Sequence, residues 1–327
     1  MSIPVCVRLP NWVGDACMSL PALHALRSAG LPLILAGRPW ARDLLAGLNP
    51  VQFIAIEGPL RRDIATLRSE LPRDGAALRG LCFPDSLSSA LVFRLAGVRA
   101  CGYRDDGRSL LLTWPIAKPK GPLHAVQAYY RLGRAFLQRM GLASSAPEQP
   151  GPDLRLPLTS GHVHTAQTLL AHSGPGRPFV LISPTATGLH HGKVKAWQHY
   201  EALTRALQAD GWAVVMCPPP HEVDIARAAA PSAQVLPPLP LGAFAALTRH
   251  AALVICNDSG TSHVAAAAQA RQLTLFGVTH PARTAPWSRA AAWLAGQEGW
   301  PDYDEVLARA RELLASTALQ DANVNRV

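Results

Sequence analysis

The sequence predicts an α/β protein of two doubly wound domains, and three observations predict it. Short apolar runs alternate with helix-like segments, the pattern of parallel strands covered on both faces. The alternation begins at residue 5 and begins again near residue 178. Between the two series lies Ala143-Ser-Ser-Ala-Pro-Glu-Gln-Pro-Gly-Pro-Asp153, whose Pro and Ser content reads as a linker. The boundary is therefore expected near residue 155, giving domains 1–155 and 156–327.

In the first series the candidate strands are Val5–Leu9, Leu31–Ala36, Val51–Ile56 and Leu81–Phe83, each a short apolar run. Leu20–Ser28 and Ser88–Ala96 read as helices between them. In the second series the strands are Phe179–Ser183, Ala213–Cys217, Leu253–Cys256 and Leu273–Phe276. Trp197–Gln208, Val223–Ala230 and Leu241–Arg249 read as their helices. A last helix is expected over Asp302–Ala315, and the tail from Thr317 lacks periodicity and reads as frayed.

The most informative segment is Cys256-Asn-Asp-Ser-Gly-Thr-Ser-His263, which follows the run Ala251–Ile255 and precedes an alanine-rich helix over 264–270. Asp258, Ser259, Gly260 and Thr261 are thus expected at a strand's carboxyl end and a helix's amino end. Open α/β sheets bind ligands there, and free backbone N–H groups attract anions.

A chain of 327 residues with 49% hydrophobic and 16% charged residues can bury sizeable cores and is not a disordered protein. Its formal charge of +9 is uneven. Residues 1–157 hold 19 basic and 11 acidic side chains, whereas residues 158–327 hold 12 and 11. The excess fits an anionic partner for the first half, or an ordinary arginine-rich surface. The six cysteines form no C-x-x-C pair; Cys6, Cys217 and Cys256 lie in apolar runs and read as small buried hydrophobes. The start, Met-Ser-Ile-Pro-Val, does not read as a leader, and no stretch of 18 apolar residues occurs, so a cytoplasmic protein at most peripheral to a membrane is expected. Dispersed tryptophans give no aromatic-basic stripe for nucleic acid.

Three further segments stand in order along the chain. The first is Arg8-Leu-Pro-Asn-Trp-Val-Gly-Asp15 with Ser19-Leu-Pro-Ala-Leu23. The second is Phe83-Pro-Asp-Ser-Leu-Ser-Ser-Ala-Leu91, continuing to Ala96-Gly97 and Gly102-Tyr103. The third is Asn257–Gly260 with His263, then Phe276-Gly277 and Pro281. Together they resemble glycosyltransferase family 9, the lipopolysaccharide heptosyltransferases, nearest to the heptosyltransferase II branch. The resemblance implies the GT-B fold, two Rossmann-like domains facing a cleft. It also implies an inverting, metal-independent transferase that needs no cofactor.

Asp15 is expected in a loop containing Gly14, after the strand Val5–Leu9 and just before a helix, and the spacing alone leaves it open between a helix-capping carboxylate and a general base that accepts the acceptor hydroxyl proton. The resemblance assigns it the base role, with Asn11, Trp12 and Gly14 on the acceptor side. Thr185 and Thr187 follow a strand and can reach phosphate oxygens. The family has a lysine two residues before a tryptophan, which here is Lys195 before Trp197, with Lys193 as the alternative. Such a cation stabilises the leaving diphosphate. Asp258 is expected to hold sugar hydroxyls or its own loop, and the N–H groups of Ser259, Gly260 and Thr261 to meet the diphosphate. His263, one helical turn on, is expected to approach the diphosphate as well. Glu222 matches an acid that accepts from ribose hydroxyls, but Pro218-Pro-Pro220 replaces the family's early glycine. His190 and His191 have no third ligand nearby, so no metal site is expected. The implied partners are a nucleotide-sugar donor, ADP-heptose foremost, an anionic lipid A-core acceptor and the inner face of the inner membrane, with no nucleic acid. The alternatives are a family 9 transferase using another nucleotide sugar, a GT-B epimerase acting on a UDP-sugar, and a non-catalytic sugar-nucleotide-binding protein.

Overall fold

The computed structural model describes residues 4–72, 78–142, 146–186, 189–190, 193–194, 196–297 and 299–324, with backbone alone for 189–190, 193–194 and 317–324. The chain divides into two units, Met1–Pro157 and Leu158–Val327.

In the first unit the strands are β1 (Val5–Arg8), β2 (Leu33–Gly37), β3 (Gln52–Ala55), β4 (Arg79–Cys82), β5 (Arg99–Tyr103) and β6 (Trp114–Ile116). The helices are α1 (Val13–Met18), α2 (Leu20–Ser28), α3 (Trp40–Leu44), α4 (Leu60–Glu70), α5 (Leu87–Leu95) and α6 (Ala125–Arg139). Every described strand pairing is parallel, in the order β3-β2-β1-β4-β5-β6. The central strands β1 and β2 are buried along their whole length, as their unbroken apolar runs require. β5 and β6 were not legible as strands. β5 opens on Arg99, and β6 carries Pro115, which the outermost strand tolerates because one of its edges has no ladder to join.

The second unit opens on α7 (Ser160–Ser173) and β7 (Phe179–Ser183). A two-stranded antiparallel hairpin follows, β8 (Leu189–His190) with β9 (Lys193–Val194). Then come α8 (Tyr200–Ala209), β10 (Ala213–Met216), α9 (Val223–Ala229), β11 (Gln234–Val235), α10 (Leu241–Thr248), β12 (Leu253–Asn257) and α11 (Gly260–Ala267). β13 (Gln272–Phe276), α12 (Pro281–Thr284), β14 (Ala291–Ala295) and α13 (Tyr303–Val324) complete it. The sheet order is β11-β10-β7-β12-β13-β14, again parallel throughout its described pairings. Counted within the unit, this is the same winding as the first sheet, the Rossmann order that reverses direction beside its first strand.

Three expectations need correction. Asp15 is not in a loop: Val13–Met18 is already a helix, with Asp15 in its first turn, where a carboxylate complements the helix dipole. The helix after the Asp258 loop starts at Gly260 rather than Val264 and ends at Ala267. The tail is not frayed from Thr317, because α13 continues to Val324 on an alanine-rich sequence of high helix propensity. Two glycines of the recognised motifs have plain reasons. Gly97 ends α5 at φ +83°, and a Cβ on Gly277 would lie 2.2 Å from the Trp300 ring. Among the described residues no helix is long and apolar enough to cross a membrane.

Candidate active site

In each sheet the strand order reverses between two central strands, and the loops leaving their carboxyl ends form the ligand-binding position of this topology. In the first unit those loops follow β1 and β4; in the second they follow β7 and β12.

The loop after β1 is held from beneath. The buried Arg8 guanidinium donates from Nη1 to the Leu9 carbonyl at 2.6 Å and from Nη2 to Asn11 Oδ1 at 2.7 Å. Trp12, the N-cap of α1, is 73% exposed and caps through no side-chain bond, whereas Gly14 is buried. Asp15 is partly buried, and the Tyr129 hydroxyl on α6 donates to its Oδ1 at 3.0 Å. Tyr129 is itself fixed edge-on against Phe83, with ring centroids 5.3 Å apart. Burial raises the Asp15 carboxyl above its ordinary value; the Tyr129 bond opposes that rise, and the charge of Asp85 adds to it. Tyr129 in turn is pushed well above its usual value, by burial first and then by Asp15, so it remains a donor.

Asp85 follows β4 and is clamped by cations. Lys118 Nζ lies 2.6 Å from its Oδ2, and Nη1 of the fully buried Arg108 lies 3.5 Å from its Oδ1. Its negative charge is thereby partly balanced before it reaches Asp15.

The second unit joins most of its expected residues into small sets. Thr185, buried after β7, donates its hydroxyl to Glu222 Oε2. Ser183 Oγ meets Thr261 Oγ1 at 3.2 Å, linking β7 to α11. Asp258 is buried, accepts from the Thr279 hydroxyl at 2.6 Å and has His263 Nε2 at 4.0 Å from its other oxygen. Asp258 therefore ties its loop to the loop after β13. Ser259 is the N-cap of α11, and its Oγ is enclosed without a hydrogen bond among the described residues. The first-turn N–H groups of Gly260 and Thr261 have no carbonyl partner within the helix. An enclosed hydroxyl beside a helix amino end has the chemistry to hold an anion.

The fully buried Asn257 anchors this arrangement. Its Oδ1 accepts from the Trp197 N–H at 3.1 Å and the Tyr200 hydroxyl at 3.2 Å, and its Nδ2 donates to the Pro184 carbonyl at 3.0 Å. Trp197 is also held through Nε1 to the Pro301 carbonyl at 2.9 Å. Of the remaining expected residues, Thr187, His191 and Lys195 lie outside the described residues, and Lys193 and His190 are described only as backbone of the hairpin.

Sequence reasoning missed Tyr129, Arg8, Asn257 as a hub and Thr279. A tyrosine on an amphipathic helix reads as core, and nothing local marks a partner 114 residues away. Asn257 carried a signal: an amide ending an otherwise apolar strand needs buried partners. Burial pushes Cys6, Cys17, Cys101 and Cys256 up to about 12 and Cys217 to about 11, so these thiols stay protonated and inert. Among the described residues no group of three or more His, Cys, Asp or Glu could hold a metal ion.

Comparison with known proteins bears on the family and the fold. The family model described as "Glycosyltransferase family 9 (heptosyltransferase)" matches residues 67–306. The chain is similar to lipooligosaccharide heptosyltransferase 2 of Haemophilus influenzae, 28% identical over 314 residues, covering 89% of this chain and 88% of that protein. In fold it is similar to the Escherichia coli ADP-heptose lipopolysaccharide heptosyltransferase II, with a TM-score of 0.75 at 24% identity, covering 96% of this chain and 99% of the other. The Escherichia coli heptosyltransferase WaaC with ADP also has a TM-score of 0.75, at 20% identity and 95% and 100% coverage. These likenesses establish the GT-B type of α/β fold.

Proposed function

The chain belongs to glycosyltransferase family 9, and from that premise we propose that it is an inverting transferase that moves a heptose from ADP-heptose to the inner core of lipopolysaccharide. The observation that carries the reading is the contrast between the two switch points: a partly buried carboxylate of raised pKa after β1, and an anion cradle after β12. The first unit takes the acceptor and supplies the base; the second holds the nucleotide sugar.

Asp15 accepts the acceptor hydroxyl proton as that oxygen attacks the anomeric carbon. The bond to ADP breaks in the same displacement, so configuration inverts. A base of raised pKa takes the proton more readily, and the Tyr129 bond keeps enough of it ionised to act. The departing diphosphate gains negative charge, which the N–H groups of Ser259, Gly260 and Thr261 and the Lys195 ammonium balance without a metal. Lys195 stands two residues before Trp197, whose N–H is bound to Asn257 beside this cradle. Glu222, oriented by Thr185, accepts from the ribose hydroxyls. The basic excess of residues 1–157 draws an anionic lipid acceptor, with the protein cytoplasmic and peripheral at the inner face of the inner membrane.

One observation favours a second reading. Pro218–Pro220 stiffens the loop that carries Glu222, which fits a family 9 transferase with a different nucleotide or sugar. Mass spectrometry decides between them, using ADP-, UDP- and GDP-sugars with a truncated core acceptor in excess EDTA. Heptose transfer from ADP-heptose, with an inverted product anomer by NMR, is expected. Transfer from another donor instead would replace the ADP-heptose reading. Loss in EDTA restored by Mg²⁺ or Mn²⁺ would overturn the metal-independent mechanism.

A further inference from the structure

We infer that the carboxyl edge of the first unit's sheet continues from Asp15 into a second subsite, built on Arg131 and Arg134, that binds a phosphate- or carboxylate-bearing sugar. This rests on the reading that the first unit takes the acceptor.

A cavity of about 450 Å³ lies there, lined by Tyr103, Ile116, Arg131, Arg134, Gln138 and Glu148 among others. Its Tyr103 and Ile116 end lies on the same edge as Asp15, and from there it runs along α6 to Gln138. Asp15 follows β1, Asp85 follows β4, Tyr103 ends β5 and Ile116 ends β6, and these four strands are neighbours in that order and parallel. Adjacent strands are ~4.8 Å apart, so β1 and β6 are separated by roughly 15 Å, within reach of a short oligosaccharide. One helix also serves both ends: α6 carries Tyr129, bonded to Asp15, and then Arg131, Arg134 and Gln138.

The cations of this region fall into two groups. Lys118 is engaged by Asp85 at 2.6 Å and Asp105 at 3.7 Å, and Arg108 by Asp85 at 3.5 Å. Arg131 and Arg134 are different: among the described residues neither guanidinium pairs with a carboxylate, although both line the cavity. Three residues apart on a helix, they share a face. A guanidinium fork matches the two oxygens of a carboxylate or phosphate, so the pair suits one such group held bidentately. Glu148 and Gln138 can bond the hydroxyls around it, and Tyr103 and Ile116 provide apolar surface for the ring. The Tyr103 hydroxyl is already committed to the Ala128 carbonyl at 2.7 Å, which fixes the ring as a wall rather than a ligand. Glu148, the negative side chain of this lining, would repel an anion that lacked hydroxyls, so a bare ion should bind more weakly than an acidic sugar.

The test uses the full chain and the variants Arg131→Ser, Arg134→Ser and the double variant. Arg94→Ser, at an exposed arginine of α5, controls for net charge. Two acceptors are compared: a truncated core oligosaccharide with its phosphate and carboxylate groups, and the same molecule dephosphorylated and carboxyl-reduced. For the acidic acceptor the double variant should raise KM about tenfold or more, the worth of a charge-assisted contact, while the donor Kd stays put. On the neutral acceptor wild type and variant should be alike; phosphate-only and carboxylate-only acceptors tell which group is held. Equal KM values for wild type and double variant on the acidic acceptor would overturn the inference, as would an equal loss in Arg94→Ser. If the wild type transfers sugar to no core acceptor, the proposed function fails by itself. The subsite is then judged by titrating a hexose 6-phosphate, followed by NMR. Binding that the double variant loses sustains it, and no phosphate-dependent binding by the wild type overturns it.

Discussion

The two sheets share one winding, yet their switch points carry opposite chemistry. After β1 and β4 the first unit sets side-chain charge: Asp15 bonded to Tyr129, with Asp85 clamped by Lys118 and Arg108. After β7 and β12 the second unit sets hydroxyls and a helix amino end, and the carboxylates there bond other protein groups: Asp258 meets Thr279, and Glu222, from the loop after β10, meets Thr185. The topology fixes only where a ligand sits. In the proposed reading, loop sequence decides whether that place takes a proton or holds an anion, and a pair of similar domains divides one transfer between them.

The sharpest way to break the comparison is Asp15→Asn. The amide keeps the shape, and its oxygen can still accept from Tyr129, but it cannot take a proton. We expect kcat to fall about 10²-fold or more, with donor affinity close to wild type. Stability should move the opposite way. The folded state raises the Asp15 pKa above its unfolded value, so it binds the proton more tightly than the unfolded chain does. Stability is therefore lost as pH rises through that window, and the charged carboxylate is a liability at neutral pH. Asp15→Asn should unfold at a higher temperature than wild type at pH 7. Activity within a few-fold of wild type would remove Asp15 from the base role.

On the other side, Lys195→Ala should cost roughly 10- to 100-fold in kcat/KM, from a charge-assisted contact worth about 1.5–3 kcal/mol, and should weaken ADP binding measured by calorimetry. Lys193→Ala should do less. If Lys193→Ala is the more damaging change, the cation of the second unit has been assigned two residues out of register.

A stability test follows from Asn257. Removing its side chain in Asn257→Ala would leave the Trp197 N–H, the Tyr200 hydroxyl and the Pro184 carbonyl without their partner inside the core. Each buried orphan costs about 1–3 kcal/mol, so the unfolding free energy measured in urea should fall by roughly 3 kcal/mol or more, with the midpoint at lower urea. Unchanged unfolding would mean that the hub does not hold the second switch point together.

What could be read in advance follows from where the information lies along the chain. The Asp258 loop was legible because an apolar run, a polar turn and an alanine-rich helix are contiguous. Asp15 was half legible. Its place after a strand is local, but Gly14 is a poor helix former, so a helix was read as a loop. Its role came from the family motif rather than from spacing. β6 was not legible, because three residues with a proline become a strand only when β5 lends its edge. Tyr129 was not legible either. Its meaning comes from the packing of α6 beside α1, a tertiary event with no trace in the residues around it.

The smallest expected effect is the most specific, because it tests that packing directly. Tyr129→Phe removes one oxygen and keeps the ring against Phe83. Asp15 then loses the bond that favours its charged form, while burial and the Asp85 charge, which favour the neutral form, remain. Among the described residues Asp85 is the charge that acts on Asp15, and Lys118 and Arg108 in turn pair with Asp85. The Asp15 pKa should rise further, so the acidic limb of the kcat/KM profile should move to higher pH. At the acid end the variant should be slower by roughly tenfold, the low end of a hydrogen bond to a charged group. On the alkaline plateau, where Asp15 is ionised in both proteins, the rates should converge. A role limited to packing predicts something else: a uniform loss at all pH values, or none, with the limb in place. Asp85→Asn should shift the same limb the opposite way, since it takes away the nearby negative charge. Two opposite displacements of one limb would establish that the first switch point is an electrostatic device set around Asp15.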